Sequence, residues 1–265
     1  METSVLDKPK VSTDSLTEMP LQLVRLCIRS QSILDHARRM SLYSGSDGVI
    51  DWGYFLHVYM TDLCGAAAPR PFACDTRRLL EGFVSVLGYT TMDHATIRKD
   101  ATHFADPVVW SGVDWEQSAS RPMPTEFRIG TQLGFGIQVC PVNRTKDAIT
   151  HRRVERDAVF YQKNEVHIPS FGHGRSQAYG HWLRKQMNLL GGCAILQTRM
   201  VHFDMEPMIR RDHKDEREKV SLTRPVAKLE GRLAVIDSGA FLKTIRMGVG
   251  RHKGFGFGLL LLKRG

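Results

Sequence analysis

Near the carboxyl end, glycines at 248, 250, 254, 256 and 258 enclose Arg251, His252 and Lys253 and alternate with Phe255 and Phe257. Glycine-rich backbone can turn successive N–H groups toward one anion, and the basic side chains would add charge to that concavity, so the stretch could cradle a phosphate. The other reading is a tight helix-to-strand turn whose glycines make room for a packed helix. A dinucleotide fingerprint is excluded, because it needs a strand before the glycines and a helix after them, the reverse of the order here. A P-loop is excluded because no Gly-x-x-x-x-Gly-Lys-Ser/Thr occurs. Far upstream, Tyr54 and His57 are three residues apart and share one helix face. Histidine suits proton transfer near neutral pH, and it also serves as a supporting contact on a helix. Metal chemistry lacks a ligand pattern. His167, His173 and His181 are spaced without carboxylates between them, and the five cysteines form no Cys-x-x-Cys pair. No metal and no cofactor are expected.

The elements that must position these residues repeat in order. Residues 1–18 are polar and aperiodic and read as a flexible lead. Residues 21–30 alternate as a strand, with Val24, Leu26 and Ile28 on one face and Arg25, Cys27 and Arg29 on the other. A short basic helix near 31–45 carries Arg38 and Arg39. A second helix spans 51–65, with Asp51 as N-cap and Gly65 as its stop. A turn into a short strand at 69–75, a strand at 81–90 and a helix at 92–104 follow. The Pro- and Ser-containing stretch 114–125 reads as a linker. Beyond it come a strand pair or one bent strand (127–140), a helix (176–190), strands (193–205 and 227–237), a helix (238–248) and a last strand from Phe255. The segment 209–219, alternating in charge sign, reads as an exposed connection. The first half reads strand, helix, strands, helix, and the second repeats that order as β, α, β, β, α, β, which predicts an α+β protein of two tandem ferredoxin-like, or RRM-like, domains with a small inserted basic helical segment. The expected division is 19–118 and 119–265.

Composition narrows the partners. The chain of 265 residues, 42% hydrophobic and 25% charged, fits a globular protein of two compact units. Its formal charge of +9 and pI near 9.5 favour a polyanion, nucleic acid ahead of a membrane surface. No apolar run approaches the roughly 20 residues that span a bilayer, and the first residues lack the order of a signal peptide, so a cytoplasmic location without a membrane partner is expected. Across 141–185, nine Lys or Arg stand against four acids. That run is either a solvated loop or an element gripping phosphates, with Tyr161, Phe171 and Tyr179 interleaved where they could stack on bases.

The run Gly248-Val-Gly250-Arg-His-Lys253-Gly254-Phe255-Gly256-Phe257-Gly258-Leu-Leu-Leu-Leu, after a strand and a helix, resembles the carboxy-terminal signature of the CRISPR repeat-cleaving endoribonucleases, especially their type I-E and type IV subgroups. Gly53-Tyr54-Phe-Leu-His57, followed by Ala68-Pro69-Arg70-Pro71-Phe72, is similar to the family's first helix, with its Tyr-x-x-His pair, and to the strand entry after it. The helix bearing Trp182-Leu183-Arg184-Lys185 resembles the first helix of the family's second domain. Most of 1–50, 90–125 and 205–222 matches nothing in the family pattern.

The resemblance implies cleavage of CRISPR repeat stem-loops through attack by the RNA's own 2′-hydroxyl. It also implies retention of the CRISPR RNA hairpin beside other subunits of an effector complex. It makes His57 the base and Tyr54 its partner as orienter or proton donor. Arg38 and Arg39 stand where type IV members carry arginine-rich elements, and arginine can stabilise a pentavalent phosphate although it is a poor base. Arg25, Arg144, Lys146, Arg152, Arg153, Arg156, Arg246, Gly250, Arg251, His252 and Lys253 are the expected RNA contacts. The alternative is a subunit that caps the hairpin without cutting it.

Overall fold

The computed structural model describes residues 20–42, 50–146, 151, 153–162, 173–211 and 219–264; the lead at 1–18 and Arg152 lie outside the described residues. The first half contains β1 (Gln22–Arg29), α1 (Ser30–Arg39), α2 (Trp52–Cys64), β2 (Phe72–Asp75), β3 (Phe83–Thr90), α3 (His94–Phe104), α4 (Pro107–Ser111) and β4 (Val113–Pro122). Its sheet is antiparallel in the order β2-β3-β1-β4. Alternation in β1 sets the inner face. Val24, Leu26 and Ile28 pair with Gly88, Val86 and Val84, and the helices cover that face, while Arg25 and Arg29 stay exposed.

The basic helical segment expected near 31–45 is α1, an additional helix in the first crossover. It leaves β1 without a break and buries Ile33, His36 and Ala37 against α2. The stretch 114–125, read as a linker, is mostly β4, so the division expected at 118/119 falls inside a strand. The reason is position. β4 is an edge strand bulged opposite Arg25 and Cys27, where Ser and Pro are tolerated because few ladder bonds depend on them.

The second half runs β5 (Gln132–Val139), β6 (Val142–Lys146), β7 (Arg153–Asp157), α5 (Ala158–Gln162), α6 (His173–Leu190), β8 (Cys193–Arg211), β9 (Lys219–Val235), α7 (Ser238–Met247) and β10 (Leu261–Lys263). Its main sheet has the order β10-β5-β9-β8, the same topology as the first, and β6 and β7 form a separate two-stranded ribbon. Mixed helix and antiparallel sheet in two ferredoxin-like units is thus the architecture.

Three extents differ from expectation. The strand expected over 127–140 is β5 alone. The last strand begins at Leu261 rather than Phe255, since Gly256 and Gly258 take φ of +88° and +78°, which an extended strand cannot hold. Of the connection expected at 209–219, residues 209–211 and 219 belong to the β8–β9 hairpin, which is paired out to Arg211 and Lys219, and 212–218 lie outside the described residues.

The two units share a core. Leu21, Leu23 and Tyr89 of the first pack into the cluster built around Phe135, Trp182, Leu229 and Phe241 of the second. The Tyr89 hydroxyl donates to the Leu260 carbonyl at 2.8 Å, which ties β3 to the chain just before β10.

Candidate active site

The helix α2 begins where its sequence says it should. The Asp51 carboxylate accepts from the Tyr54 N–H at 2.9 Å, and Gly65 ends the helix with φ of +55°. Phe55, Leu56, Tyr59, Met60 and Leu63 face the core, leaving Tyr54 and His57 half-buried on the opposite side. That side meets the glycine loop. Gly53 lies so close to the Phe255 carbonyl that a Cβ at position 53 would collide with it. The Phe255 ring lies 5.1 Å from the His57 ring and 5.9 Å from Tyr54, centre to centre. Sequence-distant residues 54, 57 and 255 therefore form one cluster.

Two cations flank it. Burial, and secondarily the Arg70 charge, lower the His57 pKa below its ordinary value. The same two causes lower that of Lys253, which is half-buried on the loop. Arg70 itself is exposed, with its guanidinium beside Gly254. A neutral imidazole with Arg70 beside it can accept a proton while Arg70, with Lys253 next to it, balances negative charge built up there.

The loop that carries Lys253 and Phe255 is held at its neck and along its back. Val249 N–H donates to the Gly258 carbonyl at 2.9 Å, and Gly258 N–H to the Gln138 carbonyl at 2.8 Å. At the back stands Glu155 of β7, its side chain only 8% exposed. It takes Arg251 Nε at 2.6 Å, His252 Nε2 at 3.0 Å and Arg224 Nη2 at 3.3 Å. With so many donors its carboxyl is held down at about 2, the His252 hydrogen bond being the largest cause. Gly250 turns at φ of +81° against the Trp182 ring, where a side chain would collide. Arg251, His252 and Gly250 thus have structural partners inside the protein, and Lys253 is the member of the basic triplet that stands beside Arg70.

The remaining expected residues are distributed as follows. Arg38 and Arg39 lie exposed at the end of α1, paired with Asp35 at 2.6 Å and Asp106 at 2.9 Å. There α1 meets α2 through His36, which contacts Tyr59 and Asp62. Arg25 is exposed on β1 and donates to the Gln117 carbonyl. Arg144 and Lys146 of β6 and Arg153 and Arg156 of β7 are exposed along the ribbon, while Arg246 is half-buried on α7. Of the aromatics expected to stack on bases, Tyr179 is buried and its hydroxyl lies 3.0 Å from the Asp157 carboxylate, so it belongs to the core; the side chains of Tyr161 and Phe171 lie outside the described residues. Arg70, Phe255 and Glu155 were missed as site residues. Residue spacing gives no sign that positions 57, 70 and 253 converge.

Comparison with known proteins agrees with this architecture. A family model described as CRISPR associated protein matches residues 30–264. No curated protein matches the sequence. A CRISPR endoribonuclease Cse3 bound to a 19-nucleotide RNA is 20% identical, with a TM-score of 0.57 over 92% of this chain and 99% of its own. Cse3 from Thermus thermophilus, bound to an RNA representing a pre-cleavage complex, is 19% identical, with a TM-score of 0.55 over 92% and 98%. Cas6e from Escherichia coli str. K-12 is 16% identical, with a TM-score of 0.54 over 92% and 100%. At these identities the likeness is one of fold.

Proposed function

The chain belongs to the CRISPR-associated protein family, and we propose that within it this protein is a metal-independent endoribonuclease that cuts CRISPR repeat stem-loops and keeps the product hairpin. The single observation that carries the reading is the convergence of Tyr54 and His57 with Phe255, Lys253 and Arg70 at the junction of the two ferredoxin-like units. Solved structures of the same fold include endoribonucleases bound to RNA.

The chemistry follows from the residues. His57, its pKa lowered by burial and by Arg70, is neutral at physiological pH and takes the proton of a 2′-hydroxyl. The 2′-oxygen bonds to the adjacent phosphorus as the bond to the 5′-oxygen breaks, leaving a 2′,3′-cyclic phosphate and a 5′-hydroxyl. Tyr54, on the same helix face, orients the base or supplies the proton to the leaving oxygen. Lys253 and Arg70 offset the charge that develops on the phosphate oxygens. The ribbon cations Arg144, Lys146, Arg153 and Arg156 hold the duplex phosphates and set its register without reading sequence.

The test is purified protein with repeat RNA in EDTA, beside the same RNA carrying single 2′-deoxy substitutions. Cutting that one substitution abolishes, and that His57→Ala slows by about 10²- to 10⁴-fold with binding retained, upholds the enzyme. RNA bound but left whole by the unmodified protein would make it a hairpin cap instead.

A further inference from the structure

A cavity of about 250 Å³ opens between the start of α2 and the hairpin β8–β9, with Phe255 in its wall. Its volume lies below the roughly 300–1,000 Å³ of sites for larger ligands, which suits one planar group. Trp52 and Phe255 supply aromatic surface, and Phe257 continues it into an apolar floor with Met208 and Val226. The rim is polar and of mixed donor and acceptor character. Gln138 offers an amide, Glu206 a carboxyl, Lys228 an ammonium and Arg224 its guanidinium. Arg224 Nε is buried and has no hydrogen-bond partner among the described residues. Its Nη2 is fixed on Glu155, so the side chain cannot swing to water to satisfy the remaining N–H.

We propose that this cavity takes one unpaired nucleobase next to the scissile phosphate, an inference that rests on the endoribonuclease reading. Proteins that read single-stranded RNA combine an aromatic surface for the base plane with hydrogen bonds to the base edge, which is the composition of this cavity. Its position supplies the second reason. Phe255 lines the cavity and lies 5.1 Å from the His57 ring, so a base stacked on Phe255 brings its own ribose and phosphate to the catalytic pair. The donors Arg224 and Lys228 beside the acceptor Glu206 suit a base with acceptors on one edge and N–H donors on the next, as guanine has. The base thereby becomes a positioning device, fixing the 2′-hydroxyl in line with its phosphate.

The test replaces each unpaired nucleotide around the cut by an abasic site and reads KM and kcat with the full-length protein, unaltered or carrying Thr76→Tyr. Thr76 is an exposed residue of the cavity rim, outside the catalytic cluster, and a tyrosine there obstructs the mouth. One abasic position is expected to raise KM by about 10-fold or more, and Thr76→Tyr to do the same on intact RNA. The two together are expected to cost no more than either alone, because both remove one contact. Penalties that multiply, or no abasic position that matters while intact RNA is cut, overturn the proposal. Should the unaltered protein leave every repeat whole, the wider reading has failed, and occupancy is then read by calorimetric titration with guanosine 5′-monophosphate. Binding that Thr76→Tyr abolishes still upholds a base site, and the absence of binding overturns it.

Discussion

Replacing Glu155 by glutamine removes the negative charge on which Arg251, His252 and Arg224 converge, and its effect can be worked from the structure. The native carboxyl is held at about 2 against an ordinary glutamate near 4.5, and at about 1.4 kcal/mol per pH unit the difference is worth about 3 kcal/mol at neutral pH. Part of that is recovered in the variant. Arg251 is 42% exposed and can turn to water; Arg224, 15% exposed, keeps a buried charge without its partner. A net loss of about 2 kcal/mol follows, or roughly 4–8 °C in Tm for a chain of this size. The direction with pH is fixed by the lowered native pKa. The stabilisation is complete above about 4.5, the unfolded value, and is lost as pH falls from there through about 2. Thermal unfolding of both proteins at pH 7 and pH 3 is therefore expected to show a deficit at pH 7 that shrinks to less than half at pH 3. A variant as stable as the parent at pH 7, or a deficit unchanged at pH 3, would refute the claim that this carboxylate anchors the loop.

Three further outcomes are expected. Arg70→Gln removes the second cause of the lowered His57 pKa, so the acid limb of the cleavage rate moves to higher pH; pH–rate profiles of the two proteins check it, and coincident limbs contradict the proximity of Arg70. Gly53→Ala pushes a methyl into the Phe255 carbonyl and is expected to cost about 1–3 kcal/mol in thermal unfolding, together with a fall in cleavage as Phe255 leaves His57. Arg144→Ala combined with Arg153→Ala removes two exposed ribbon cations and is expected to lower the slope of log K against log salt by about 1.4–1.8, with little change in Tm; an unchanged slope takes the ribbon out of the RNA interface.

Much of the fold was legible because its signals are local. Val24, Leu26 and Ile28 alternate at the period of a strand and are all buried, and Asp51 and Gly65 cap α2 at the ends their residue types indicate. Where the reading departed from the structure, local chemistry had been overridden by tertiary position. Ser118, Ser120 and Pro122 look like linker residues, yet they lie in an edge strand whose ladder bonds come from β1, and Ser118 Oγ accepts from the Cys27 N–H at 3.1 Å. The charges of 209–219 look like a solvated loop, yet the described residues at its two ends, 209–211 and 219, are paired in the β8–β9 hairpin, whose long ladder already fixes the register.

The site is legible in a different proportion. Tyr54 and His57 could be paired from their spacing, because three residues along a helix is a statement about one face. The partner surface could not be read in that way. Phe255 reaches His57 only because the second unit's loop is folded back over α2, and Glu155, one of few acids in a basic run, contributes through the charges it gathers rather than the charge it adds. The same reasoning divides the basic triplet. Arg251 and His252 are bound by Glu155, whereas Lys253 has Arg70 beside it, and burial first, then that like charge, lower the pKa of Lys253. A half-buried ammonium with a like charge beside it is costly without an anion, and a phosphate placed against both removes that cost. On the proposed reading, an RNA phosphate beside His57 would meet both cations, and the repulsion between Arg70 and Lys253 in the free protein would favour its binding.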